Sequence, residues 1–107
     1  TPQQTLFQKY LQLINNFYIE KRTVEEYAEL LNITPHHLSQ SVKMVSDRNA
    51  LSFINDRLLS EAKTFIKFTG LDIAEIAYQL NFSDPANFGK FFKKHAGMTP
   101  LEFRRTS

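Results

Sequence analysis

The sequence predicts an all-α protein of seven helices, and three observations carry that expectation. Apolar residues recur at helical spacing along almost the whole chain, no run of Val, Ile or Thr alternates with period two, and Pro and Gly stand mainly at apparent element boundaries. A first helix, from about Leu6 to Tyr18, places Leu6, Tyr10, Leu11, Ile14, Phe17 and Tyr18 on one stripe. Thr23 opens a second as N-cap with Glu26 in the capping-box position, and Val24, Tyr27, Ala28 and Leu31 face inward. Asn32 ends it, because Asn tolerates the left-handed backbone of a helix terminus. Thr34-Pro35 starts the third, a cap followed by proline where its missing N–H costs nothing.

A long fourth helix runs from about Ala50 to Phe68 with Leu51, Ile54, Leu58, Ala62, Phe65 and Ile66 on its inner face, and stops at Gly70. Asp72 and Glu75 cap the fifth, which buries Ile73, Ile76, Ala77 and Leu80 and closes at Asn81. The sixth begins at Asp84-Pro85 and a short seventh at Thr99-Pro100.

Composition narrows the function classes. The 107 residues, 42% hydrophobic, suffice for one modest core or two small lobes. Without cysteine there is no disulfide, thiol catalysis or cysteine-based metal site. No apolar run approaches the roughly 20 residues that cross a bilayer, and TPQQTLFQKY lacks a signal peptide's basic end and apolar centre, so a soluble, cytoplasmic protein is expected. Net charge is only +2, yet Lys90, Lys93, Lys94, Arg104 and Arg105 face a single anion, Glu102, over the last 18 residues. A basic end on a slightly acidic body suits phosphate contact.

An internal repeat reorganises this reading. TVEEYAELLNIT (23–34) lies over DIAEIAYQLNFS (72–83), matching cap to cap, Glu26 to Glu75, Ala28 to Ala77, Leu31 to Leu80 and Asn32 to Asn81. After one extra residue, Asp84, Pro35 matches Pro85, Leu38 matches Phe88, Gln40 matches Lys90, Val42 matches Phe92 and Lys43 matches Lys93. Each copy is a capped helix, a tight turn with Asn at its corner and a Pro-initiated second helix, the outline of a helix-turn-helix. At about 100° per residue, Phe88, Phe91, Phe92 and His95 share an inward arc on the second copy's second helix. Ala86, Lys90, Lys93 and Lys94 lie opposite, bordered by Asn87. In the first copy Leu38, Ser41, Val42 and Val45 turn inward, leaving His36, Ser39, Gln40 and Lys43 outward. Short polar and cationic side chains suit base edges and phosphates. The long helix between the copies, at about 1.5 Å per residue, spans roughly 27 Å, of the order of the ~34 Å between successive major-groove faces, so one chain would place two reading helices in adjacent grooves.

INDRLLSEAK, then DIAEIAYQLNFSDPANFGKFFKKHAGMTPLEFRR, resembles the DNA-binding domain of the AraC/XylS family of bacterial transcription regulators, over about Thr23 to Arg105. Arg57 in the long helix, Ala77 before the turn, Phe82 after it and the GMTP segment, with the spacing between them, carry the likeness. The resemblance implies a first helix-turn-helix lobe over 1–49 with its reading helix near 35–45, a linker helix over 50–69, and a second lobe over 70–107 reading with 85–95. It implies sequence-specific binding of double-stranded promoter or operator DNA, with RNA polymerase as a further candidate partner, and commonly a separate sensing or dimerisation domain; 107 residues leave no room for one, so the chain is expected to be either a fragment of a longer regulator or a stand-alone short form, with any dimerisation through a domain outside it. Position by position, it offers His36, Ser39 and Gln40 to bases with Lys43 on phosphate, and Pro85, Ala86, Asn87 and Lys90 to bases with Lys93 and Lys94 on phosphates. Asn81 and Asp47 stand where the family usually has glycine. Lys90 replaces a common arginine, exchanging a bidentate fork for a point charge. Gly89 in mid-helix costs about 1 kcal/mol against Ala, and is explained by close approach of its backbone either to DNA or to a neighbouring helix.

No enzymatic activity and no cofactor is expected. His36, His37 and His95 have no matched carboxylate or thiol at metal spacing, and neither a phosphate-cradling Gly-rich loop nor a serine elbow occurs. Tyr10, Phe17, Tyr18 and Tyr27 read as helix-packing residues. The alternative to DNA binding is a helical protein-interaction module whose outward lysines hold an acidic partner.

Overall fold

The computed structural model describes residues 1–106, and among them every regular element is a helix. In order these are α1 (Pro2–Phe17), α2 (Val24–Leu30), α3 (Pro35–Ser46), α4 (Ala50–Phe68), α5 (Ile73–Gln79), α6 (Pro85–Ala96) and α7 (Pro100–Arg105). The seven expected helices are present, with α1 starting earlier than its apolar stripe suggests. Thr1 accepts from the Gln4 N–H while the Gln4 side chain returns the bond, a capping box with glutamine in place of glutamate.

The chain divides into two compact units, Thr1–Arg57 and Leu58 onward, with the division inside α4. In the first unit, Tyr10 and Ile14 of α1, Tyr27 and Ala28 of α2, Leu38 and Val42 of α3, and Ala50 and Ile54 of α4 form the buried cluster. The Tyr10 and Tyr27 rings meet edge to face at 5.6 Å. Their hydroxyls are satisfied by donation to the Ala50 carbonyl at 2.8 Å and the Lys21 carbonyl at 2.9 Å. Arg57, singled out by the family likeness, fastens α4 to α1: its guanidinium lies 4.1 Å from the centre of the Tyr18 ring and donates to Asn15 Oδ1 at 2.9 Å.

In the second unit Leu58, Ala62 and Ile66 of α4 and Ile76, Ala77 and Leu80 of α5 are buried with Phe88 and Phe92 of α6. Phe82 packs on Phe88 at 5.1 Å and on Phe91 at 5.4 Å, and Phe92 meets Phe103 of α7 at 5.5 Å. Arg104 closes the end of α4, donating from Nε to the Ile66 carbonyl at 3.0 Å and from a terminal nitrogen to the Leu71 carbonyl at 2.6 Å. One of these acceptors lies in the last turn of α4, where carbonyls lack helical partners.

The two turns are built alike, bond for bond. Asn32 and Asn81 adopt left-handed φ of 56° and 64°. Beyond them Ile33 N–H reaches back to the Ala28 carbonyl at 3.1 Å, and Phe82 N–H to the Ala77 carbonyl at 2.9 Å. Asn32 N–H bonds Glu29 at 3.1 Å and Asn81 N–H bonds Tyr78 at 3.0 Å, completing a Schellman motif in each copy. The matched alanines thus supply both a small buried side chain and the acceptor that closes the turn.

Three inward assignments differ in the structure. Val45 is 37% exposed and Leu51 is 45% exposed, and neither belongs to the first unit's buried cluster, although helical spacing puts Val45 almost on the axis of the stripe formed by Leu38, Ser41 and Val42. His95 is exposed in the last turn of α6, its ring 4.7 Å from that of half-buried Phe91. Phe88 and Phe92 are wholly buried.

Candidate nucleic-acid interface

The second helix of each copy is started and stopped by the same local chemistry. Thr34 accepts from His37 N–H at 3.0 Å and Asp84 from Asn87 N–H at 2.7 Å, with Pro35 and Pro85 at the first helical positions. Left-handed Asp47 (φ 61°) and Gly97 (φ 82°) end them. The inward stripes, Leu38 with Ser41 and Val42, and Phe88 with Phe92, fix the rotation of each helix and thereby which side chains remain outside.

On α3, His36, Gln40 and Lys43 are exposed and Ser39 is half-buried. The structure brings all four together on one open concavity of about 710 Å³, shared with Val24, Met44, Asn49, Ala50 and Leu51. Lys43 is not a free cation: its Nζ donates to the Asp47 carbonyl at 3.1 Å and lies 3.8 Å from the Asp47 carboxylate. On α6, Ala86, Asn87, Lys90, Lys93 and Lys94 are exposed, whereas Pro85 is half-buried at the helix start. The Asn87 amide donates to Ser83 Oγ at 2.5 Å, and stands 3.5 Å from Asp84 Oδ2, so this side chain also braces the turn that starts its helix. No salt bridge engages Lys90, Lys93 or Lys94 among the described residues. A Cβ built on Gly89 meets nothing within 4 Å, which removes the neighbouring-helix explanation for that glycine. Sequence reasoning did not include Met44, although it falls four residues after Gln40 and eight after His36 on the same helical face.

Two copies of a capped helix, a Schellman turn and a second helix with an exposed polar face define a paired helix-turn-helix protein. The family model described as "Helix-turn-helix domain" matches residues 27–106. Among curated relatives, the uncharacterized HTH-type transcriptional regulator YijO of Escherichia coli strain K12 is 29% identical over 102 residues, 95% of this chain and 36% of the relative. The arabinose operon regulatory protein of the same strain is 30% identical over 81 residues, 76% of this chain and 28% of that protein. The C-terminal domain of AraT, a response regulator from Geobacillus stearothermophilus, superposes with a TM-score of 0.88 at 27% identity, covering 95% of this chain and 85% of that one. The chain belongs to the AraC-type helix-turn-helix family of DNA-binding transcription-regulator domains. It spans about a third of the length of the first curated relatives it matches. No helix among the described residues is long and apolar enough to cross a membrane.

Proposed function

We infer that α3 and α6 are the reading helices, each laid in a major groove of one duplex, and that together they recognise an operator in two sub-sites. The observation that carries this reading is the exposed polar face left on the second helix of each copy after the core has claimed the rest. His36, Ser39 and Gln40 on α3 and Ala86, Asn87 and Lys90 on α6 face base edges, while Lys93 and Lys94 hold phosphates. Lys43 supplies a weaker phosphate contact because Asp47 already holds it. Pro85 contributes through the rigid start of its helix and its half-exposed ring.

The domain acts without catalysis, in the cytoplasm, as the promoter-binding part of a regulator. The test is selection of duplexes from a random library, followed by binding of the selected duplex across a salt series. Log affinity should fall steeply with log salt, by about 0.9 per phosphate neutralised. Gln40→Ala should change preference at one base position by roughly 1–3 kcal/mol. Binding unaltered by alanine at His36, Gln40, Asn87 and Lys90 together would refute the reading and favour an acidic protein partner.

A further inference from the structure

Met44 has no task among the base and phosphate contacts, yet it is 74% exposed on the face that carries His36, Gln40 and Lys43. It forms, with Val24 and half-exposed Leu51, the apolar side of the concavity that those reading residues also line. At the matching place in the second copy stands Lys94, and where α3 ends in Asp47, α6 ends in Gly97. The far half of the first reading face is therefore apolar and close to neutral, with its one lysine tied to Asp47. Such a wall repels no phosphate but attracts none strongly. The apolar group that a major groove offers is the thymine C5-methyl, which distinguishes A·T from every other pair by contact alone.

Resting on the DNA-binding reading above, we propose that Met44, backed by Leu51 and Val24, receives a thymine methyl group and makes the first lobe a reader of thymine beside the base that Gln40 contacts. Met44 follows Gln40 by one helical turn and shares its concavity, so a methyl received there would lie beside the polar readout. The unbranched thioether suits this task because it adapts to an irregular apolar surface.

The experiment replaces each thymine of the selected duplex in turn by deoxyuridine, which removes the methyl and leaves the pairing and polar groove atoms unchanged. With the whole chain, one or two positions should lose about fourfold in affinity, the effect of burying one methyl group. Met44→Ala, and Met44→Gln, which keeps the length but not the apolar end, should bind thymine and uracil alike at those positions while retaining the salt dependence of the original chain. Uracil tolerated at every position, or a thymine preference that survives both Met44 variants, overturns the assignment. In either case steep salt dependence and Gln40-dependent selectivity would persist, whereas loss of those two properties would mark failure of the DNA-binding reading itself.

Discussion

Gly89→Ala separates what folding wants at the centre of α6 from what DNA wants there. Gly89 is the fifth of twelve residues in a regular helix, and its φ is not among the positive ones. A glycine in that setting destabilises by about 1 kcal/mol relative to alanine through the larger conformational entropy of the unfolded chain. The added Cβ meets nothing within 4 Å, so no steric term offsets the gain. In a domain of this size about 1 kcal/mol raises the melting temperature by roughly 4 to 8 °C, readable as a shifted far-ultraviolet circular dichroism transition. If the glycine lets the α6 backbone approach a phosphate, the same variant loses affinity by about 1–3 kcal/mol, the usual cost of one extra carbon in a close contact. The loss should be equal on all sequences, because phosphates carry no base identity. A more stable protein with unchanged affinity would refute the contact at Gly89. An unchanged melting temperature would refute the claim that open space surrounds it.

Lys93 and Lys94 are exposed and unpaired by any carboxylate within salt-bridge distance among the described residues, so alanine at both should lower the salt slope by about two, measured as log affinity against log salt. Lys43→Ala should lower it by well under the ~0.9 of a full phosphate contact, and a loss of about 0.9 there would contradict the competition from Asp47. Glu26 accepts from the backbone N–H of Arg22 at 3.1 Å, and from the N–H and hydroxyl of Thr23, which together hold its carboxyl below the ordinary carboxylate range. Its contribution is present above the unfolded value of about 4.3 and lost as pH falls through the lower folded value. Urea unfolding of Glu26→Gln between neutral and acid pH should therefore show a shallower acid limb than the original chain, the amide still completing the capping box. Identical acid limbs would show that this carboxylate has no part in acid sensitivity.

Local chemistry was legible in the sequence, and contacts across the chain were not. Thr23 with Glu26 and Asp72 with Glu75 announce helix starts because donor and acceptor are three residues apart. The start of α1 was missed by four residues because TPQQ carries a cap and proline but no apolar residue before Leu6. Arg57 was picked out by family likeness, but its partners Asn15 and Tyr18 lie about forty residues away in sequence. Arg104 clasps carbonyls of Ile66 and Leu71, backbone acceptors that no side-chain pattern records. Val45, Leu51 and His95 mark the limit of helical periodicity, which gives a direction but not whether another element stands in it.

The repeat is strict where folding constrains it and loose where recognition does. Asn32 and Asn81, Ala28 and Ala77, and the capped, Pro-initiated second helices agree in both identity and geometry, because a Schellman turn tolerates few residues at its left-handed corner and little bulk beneath it. The outward positions agree almost nowhere: His36 answers to Ala86, Gln40 to Lys90, Met44 to Lys94, and Asp47 to Gly97. Charge differs between the two faces: Lys90, Lys93 and Lys94 of α6 make no salt bridge among the described residues, whereas the one lysine on the outer face of α3, Lys43, donates to the Asp47 carbonyl at its own helix end. On the reading proposed above, long-range attraction to a phosphate backbone would rest chiefly with α6, and selectivity by contact chiefly with α3. A chain with two copies of one scaffold can divide binding in this way because neither copy must supply both affinity and discrimination.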